Sequence, residues 1–230
     1  GENQPVYGVQ AQALLANQPA LLRLEDMAAY YLAEIRKVQP RGPYKFLGYS
    51  FGGTVALEMA HQLHEAGEAV VFLGMLDAKT LEYEEQLART RSVQAKIEHR
   101  VNRFRGNTGQ LDLKSRLSYV YDKVSTRAIR YGCMLLSFVH VKKVPSFMKS
   151  AYDINYVALR NHKVRPYGGR LILFRANEQE FMDGAFDLGW GAIFRDGVEV
   201  RELPGDHDRI FLEPNIDVLA SSLRACLRNE

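Results

Sequence analysis

The segment Gly48-Tyr49-Ser50-Phe51-Gly52-Gly53 constrains this chain more than any other. It stands between an apolar run, Tyr44 to Tyr49, and a stretch of helical periodicity, Thr54 to Ala66. A strand that passes into a helix within one residue needs a turn too tight for ordinary side chains, and the G-x-S-x-G spacing supplies it. The expected result is a strained serine, Ser50, at the apex with its hydroxyl exposed. Side chains at Gly48 or Gly52 are expected to collide with the neighbouring strand or helix. The backbone N–H of Phe51, at the helix N-terminus, is then aimed at any oxyanion that forms beside Ser50. A phosphate loop is excluded because no Gly-Lys-Ser/Thr step follows the glycines.

Short apolar runs alternate with helical patterns around this turn. Val6 to Val9, Tyr44 to Tyr49, Val70 to Leu76, Leu171 to Phe174 and Val198 to Leu203 read as strands. Val70 to Leu76 is continuously apolar, as in a strand covered on both faces. Leu24 to Val38 repeats Met27, Tyr31 and Ile35 four apart and reads as a helix; Thr54 to Ala66 does so through Val55, Met59 and Leu63, with Gly67 as its stop. Asn215 to Leu227 reads as a closing helix. Alternating strands and helices predict an α/β fold with a mostly parallel sheet flanked by helices.

The stretch from about Thr80 to Val164 breaks that rhythm. Val93, Ile97, Val101 and Phe104 fit one helical stripe, and Leu113, Leu117, Val120, Val124 and Ala128 fit another. Inserted between two sheet strands, it reads as a helical lid. Arg89 to Lys149 carries fourteen Lys/Arg against three Asp/Glu, a balance of +11, whereas the rest of the chain sums to −8. A basic insertion on an acidic core has a surface role of its own. The expected organisation is a single domain over 1–230, with a core of 1–79 and 165–230 and the lid over about 80–164.

A nucleophilic serine needs a base, and the base an orienting acid. On such a sheet the chain order is Ser, Asp or Glu, then His, with the histidine near the C-terminus. His207 fits, in Pro204-Gly205-Asp206-His207-Asp208 between the last strand and the last helix. His61 and His64 lie on the helix after the serine, and His99, His140 and His162 lie in or beside the lid. For the acid two positions compete. Asp77 ends the strand after the nucleophile helix, 27 residues beyond Ser50. Glu178, Glu180, Asp183 and Asp187 follow the strand Leu171 to Phe174. Asp206 and Asp208 flank the base and are expected to point away from its ring.

The remaining composition excludes several classes. Cys133 and Cys226, far apart, make neither a disulfide framework nor a zinc site, and His61 with His64 lacks a third ligand, so no metal is expected. No apolar run reaches membrane-spanning length, no signal peptide precedes Val6, and nothing points to nucleic acid, so a cytoplasmic protein is expected.

Gly42 to Gly53, Ala56-Leu57-Glu58-Met59-Ala60, Leu76-Asp77, Gln4 to Gln10 and Leu203-Pro204-Gly205-Asp206-His207 together resemble the terminal thioesterase domains of nonribosomal peptide and polyketide synthases, within the α/β-hydrolase superfamily. The resemblance spans nearly the whole chain and is sharpest from Gly42 to Asp77. It implies that Asp77 is the acid, completing a Ser50–Asp77–His207 triad with the Phe51 N–H in the oxyanion hole. It implies release of an acyl, peptidyl or polyketide chain from the phosphopantetheine arm of a carrier protein in the same synthase. No tightly bound cofactor is expected. The family pattern also has, ahead of the Val6 strand, another strand and a His-Pro-containing, Gly-rich loop that supplies a second oxyanion donor; these are missing from the 230 residues. Met134, Leu135, Leu136, Phe138 and Val139 are candidate linings of an acyl tunnel, and Arg100, Arg103 and Arg105 candidate contacts for an acidic carrier. A free-standing editing thioesterase, a carboxylesterase and a non-catalytic module of the same fold are the alternatives.

Overall fold

A computed structural model describes residues 5–14, 20–90, 143–144, 151–178 and 185–228. Its contacts divide the chain into two compact units, drawn from Gly1–Gln10, Arg23–Leu81 and Leu159–Glu230 for the first, and from Ala11–Leu22 and Glu82–Ala158 for the second.

The first unit is an α/β layer. Its elements are α1 (Leu24–Val38), β2 (Tyr44–Tyr49), α2 (Phe51–Glu65), β3 (Val70–Leu76), β5 (Leu171–Ala176), β6 (Val198–Leu203) and α5 (Asn215–Arg228). The four strands form one parallel sheet in the order β2-β3-β5-β6. Parallel neighbours need crossovers, and α2 supplies the one from β2 to β3. All six residues of β5 are buried, including Arg175.

Side chains alternate across a strand, so one strand reports both faces of the sheet. Met75 faces α2, since a Cβ added at Gly53 would meet its Cγ at 3.1 Å. Phe72 and Leu76 point the other way and join Ile172, Phe174, Leu203, Ile210, Leu219 and Cys226 in a core beneath α5. Helices therefore cover both faces. α2 is buried on nearly every side, from Gly53 through Ala60, which explains its Ala-, Val- and Leu-rich sequence. α1 carries Glu25 and Asp26 in its first turn and Arg36 and Lys37 in its last, each sign matched to the helix dipole.

The second unit contains an antiparallel pair of two-residue strands, β1 (Ala20–Leu21) with β4 (Lys143–Val144). It also holds α3 (Leu81–Thr90) after its first residue and α4 (Ala151–Asn161) as far as Ala158. The reading of 80–164 as helical therefore omits one short strand, which pairs with a segment more than a hundred residues earlier and has no local signal. Both stripes, Val93 to Phe104 and Leu113 to Ala128, lie outside the described residues, as do Met134 to Val139, Arg100, Arg103 and Arg105.

One predicted strand does not form. Val6 to Val9 pairs with no strand among the described residues, and Val6, Tyr7 and Val9 are 87%, 68% and 51% exposed. An alternating apolar pattern is a preference; only a partner's N–H and C=O groups turn it into a strand.

Candidate active site

The turn after β2 has the strain expected of it. Ser50 adopts φ 51° and ψ −123°, a region that non-glycine residues rarely occupy, at a cost of about 1–3 kcal/mol. Two backbone hydrogen bonds hold it there. Its N–H donates to the Leu76 carbonyl at 3.0 Å, and its own carbonyl accepts from the Gly53 N–H at 3.0 Å. The first bond ties the serine to the end of β3, one residue before Asp77. The Phe51 N–H opens α2 and makes no hydrogen bond among the described residues, as helix geometry requires of a first-turn donor.

The glycines divide their work differently from expectation. A Cβ at Gly48 would lie within the backbone of Gly52 and 2.5 Å from the Gly53 nitrogen, so no side chain fits. A Cβ at Gly52 would meet nothing within 4 Å, which corrects the expected collision there. The tight position is Gly53, where a Cβ would lie 2.7 Å from the Ala78 Cβ. The first turn of a helix has one side against the sheet and one side open, and Gly52 is on the open side.

Asp77 directly follows β3 in another strained conformation, φ 42°. It is 1% exposed. Its N–H donates to the Phe174 carbonyl at 2.7 Å, and its Oδ1 accepts from the Ala176 N–H at 3.0 Å. Its Oδ2 faces His207 Nδ1 at 2.8 Å. Burial alone would push this carboxyl up. The hydrogen bonds from His207 and Ala176, with the charges of Lys79 and His207, outweigh it and hold Asp77 below the usual carboxylate value. The next residue, Ala78, is fixed in turn, for the fully buried Trp190 donates its indole N–H to the Ala78 carbonyl at 2.9 Å.

His207 follows β6 on a turn that Asp206 builds, its Oδ1 accepting from the Asp208 N–H at 3.1 Å and the Arg209 N–H at 2.9 Å. That turn occupies Asp206 and leaves the imidazole to Asp77. Among the rival acids, Asp187 spends both oxygens on the Gly189 and Gly191 N–H groups at 2.9 Å each, and Glu178 is exposed. Glu180 and Asp183 lie outside the described residues. The structure thus joins Asp77 to His207 directly and sets Ser50 beside them through the backbone. No hydrogen bond links Ser50 Oγ to the imidazole among the described residues, and such contacts commonly tighten only around a bound substrate.

The thioesterase-domain family profile matches residues 3–226. The chain belongs to the thioesterase domain family. It is 49% identical over 78 residues to a dimodular nonribosomal peptide synthase of Bacillus subtilis (strain 168), covering 34% of this chain and 3% of that protein. The chain therefore spans a small part of the curated relatives it matches. A solved four-domain nonribosomal peptide synthetase bound to AMP and glycine superposes over 95% of the chain and 17% of its own length, with a TM-score of 0.64 and 22% identity. The NocB thioesterase domain, solved as a covalent complex with a fluorophosphonate nocardicin G analogue, superposes over 92% of the chain and 77% of its own, with a TM-score of 0.54 and 24% identity. At those identities the likeness establishes the fold.

Of the other described histidines, His61 and His162 have structural partners, and His64 is exposed. The His61 ring nitrogen lies 3.3 Å from the Arg165 carbonyl, and His162 Nδ1 lies 2.9 Å from Glu25. His162, Glu25, Glu58, Glu65 and Arg165 line a cavity of about 660 Å³ in which Arg165 reaches Glu65 at 2.7 Å and Glu58 at 3.5 Å. Its Glu25 carboxylate lies against His162 and its Glu58 and Glu65 carboxylates against Arg165, and no serine or cysteine is among its described lining residues. Three contributors to the Asp77–His207 site lie beyond the sequence reading: the Ala176 N–H, Trp190 and the Tyr49 ring. Only Trp190 offered a clue, as the single tryptophan of the chain.

Proposed function

We propose that this thioesterase is a serine hydrolase that releases an acyl, peptidyl or polyketide chain from a phosphopantetheinyl carrier protein, with Ser50 as nucleophile, His207 as base and Asp77 as orienting acid. The observation that carries the reading is the buried Asp77 carboxylate bound to His207 Nδ1 beside the strained Ser50 turn. With Nδ1–H donated to Asp77, Nε2 is the free basic nitrogen and takes the Ser50 Oγ proton as Oγ attacks the thioester carbonyl. The oxyanion is met by the Phe51 N–H. Collapse of the tetrahedral intermediate breaks the C–S bond, and the imidazolium gives its proton to the departing thiolate, which leaves as the thiol. Water, or an amine or hydroxyl of the chain itself, then attacks the Ser50 ester with His207 again as base, giving hydrolysis or cyclisation. Asp77 stays ionised throughout and stabilises the imidazolium.

The same proposal takes 1–79 and 165–230 as an α/β-hydrolase core and about 80–164 as its lid, in a cytoplasmic synthase whose carrier is the partner. Similarity to a nonribosomal peptide synthase and to a solved thioesterase domain supports the carrier as partner. Intact-mass analysis after incubation with a fluorophosphonate tests the chemistry. A single adduct on the parent that disappears in Ser50→Ala is expected; an adduct retained in Ser50→Ala, or none on the parent, overturns the assignment of Ser50. Turnover of a carrier-bound thioester well above that of small esters is the further expectation for substrate class, and the reverse preference would mark a carboxylesterase.

A further inference from the structure

We infer that Tyr49 is the positioning residue for His207, fixing both the plane of its imidazole and the loop that carries it; this rests on the reading of His207 as the base. His207 needs such a device. Its side chain is 39% exposed, and one hydrogen bond to Asp77 Oδ2 leaves the ring free to pivot about that bond. A base that pivots presents Nε2 to the nucleophile for only part of the time, and orientation is a large component of the rate.

Tyr49 restrains the ring and its loop by separate contacts. Its ring lies against the imidazole with centroids 4.7 Å apart and planes 25° apart, which blocks the pivot on one face. Its hydroxyl donates to the backbone carbonyl of His207 itself at 3.0 Å. Tyr49 is in turn held by Phe211, whose ring meets it edge-on at 4.8 Å and 88°, and by the core under α5. Burial, and then the nearby carboxylates of Asp208, Asp77 and Asp206, push the phenol up, so the hydroxyl stays protonated and remains a donor. The geometry also explains why this residue stands where it does. Tyr49 ends β2 immediately before Ser50, so one strand end sets the nucleophile and the plane of a base 158 residues away.

The experiment compares the parent with Tyr49→Phe and Tyr49→Leu. It reads the rate of fluorophosphonate labelling and the low-field proton resonance of His207 Nδ1 in protein carrying ¹⁵N-histidine. Tyr49→Phe keeps the stack and loses the hydroxyl, and labelling is expected to slow about fivefold, as for one lost hydrogen bond. Tyr49→Leu loses both, and labelling is expected to slow about 30-fold while the His207 resonance broadens into exchange. The far-ultraviolet circular dichroism stays unchanged. Parent-like labelling by both variants, or a His207 resonance equally sharp in all three proteins, overturns the inference. Should Tyr49→Leu fail to fold, Tyr49→Phe decides alone, and a loss under about twofold is then the refuting result. If the parent itself takes no label while the resonance broadens in Tyr49→Leu, the positioning role stands and the assignment of Ser50 falls.

Discussion

Replacing Asp77 by Asn removes one charge and almost no volume, and the surroundings of this carboxyl set the outcome. Asn can keep its carbonyl oxygen toward the Ala176 N–H, which in the parent donates to Asp77 Oδ1 at 3.0 Å. Its amide then faces His207 Nδ1, 2.8 Å away in the parent, and an amide can only donate there. The imidazole must turn its lone pair to Nδ1 and carry its proton on Nε2, the wrong tautomer for taking a proton from Ser50. The expected loss in turnover and in fluorophosphonate labelling is about 10⁴-fold, the size seen when a triad acid is neutralised. Stability falls too, by about 1–3 kcal/mol for the lost charge-assisted bond. That corresponds to a melting temperature lower by roughly 2–12 °C for a chain of this size. The stability gap has a defined pH dependence. Asp77 in the folded state lies below its ordinary value, so its contribution is present above the unfolded carboxylate value and is lost as pH falls through the folded one. Parent and variant should therefore differ most near neutral pH and converge in acid. Labelling rates across pH and thermal melts at neutral and acidic pH measure both effects. A variant that labels like the parent, or a stability gap that widens as pH falls, refutes the account of Asp77.

The glycines of the turn should separate sharply. Gly48→Ala drives a Cβ into the Gly52 backbone and is expected to abolish the soluble folded protein, while Gly52→Ala should melt within about 2 °C of the parent because its Cβ meets open space. Gly53→Ala presses on Ala78 and Met75, and a loss of about 1–3 kcal/mol in a denaturant melt is expected. Trp190→Phe leaves the Ala78 carbonyl without its indole donor, and a loss of about 1–2 kcal/mol with slower fluorophosphonate labelling is expected, since Ala78 follows Asp77 directly. Unchanged labelling in that variant would show that Trp190 serves packing only.

Much of this protein is local and so was legible in its residues. Leu24 to Val38, Tyr44 to Tyr49, Val70 to Leu76 and Val198 to Leu203 form the elements that their periodicity implies, with the same ends. Local steric rules also require the turn at Ser50 and the bare backbone at Gly48, because strand, turn and helix are consecutive from Tyr44 to Glu65. What depends on distant segments was settled by the tertiary structure. The pattern of Val6 to Val9 is that of a strand, yet it finds no partner among the described residues, because pairing belongs to two segments and not to one. The strict position in the turn is Gly53 and not Gly52, because the nearer obstacle is Ala78, at the end of another strand. Asp77 and its rivals after β5 are equivalent as carboxylates on strand ends. Only the approach of the His207 loop, and the Asp187 bonds to Gly189 and Gly191, tell them apart. Tyr49 reads in sequence as the variable residue of a motif. Its ring acquires a role only when the fold lays the imidazole of His207 against it, since a contact between residues 158 positions apart is written in neither segment alone.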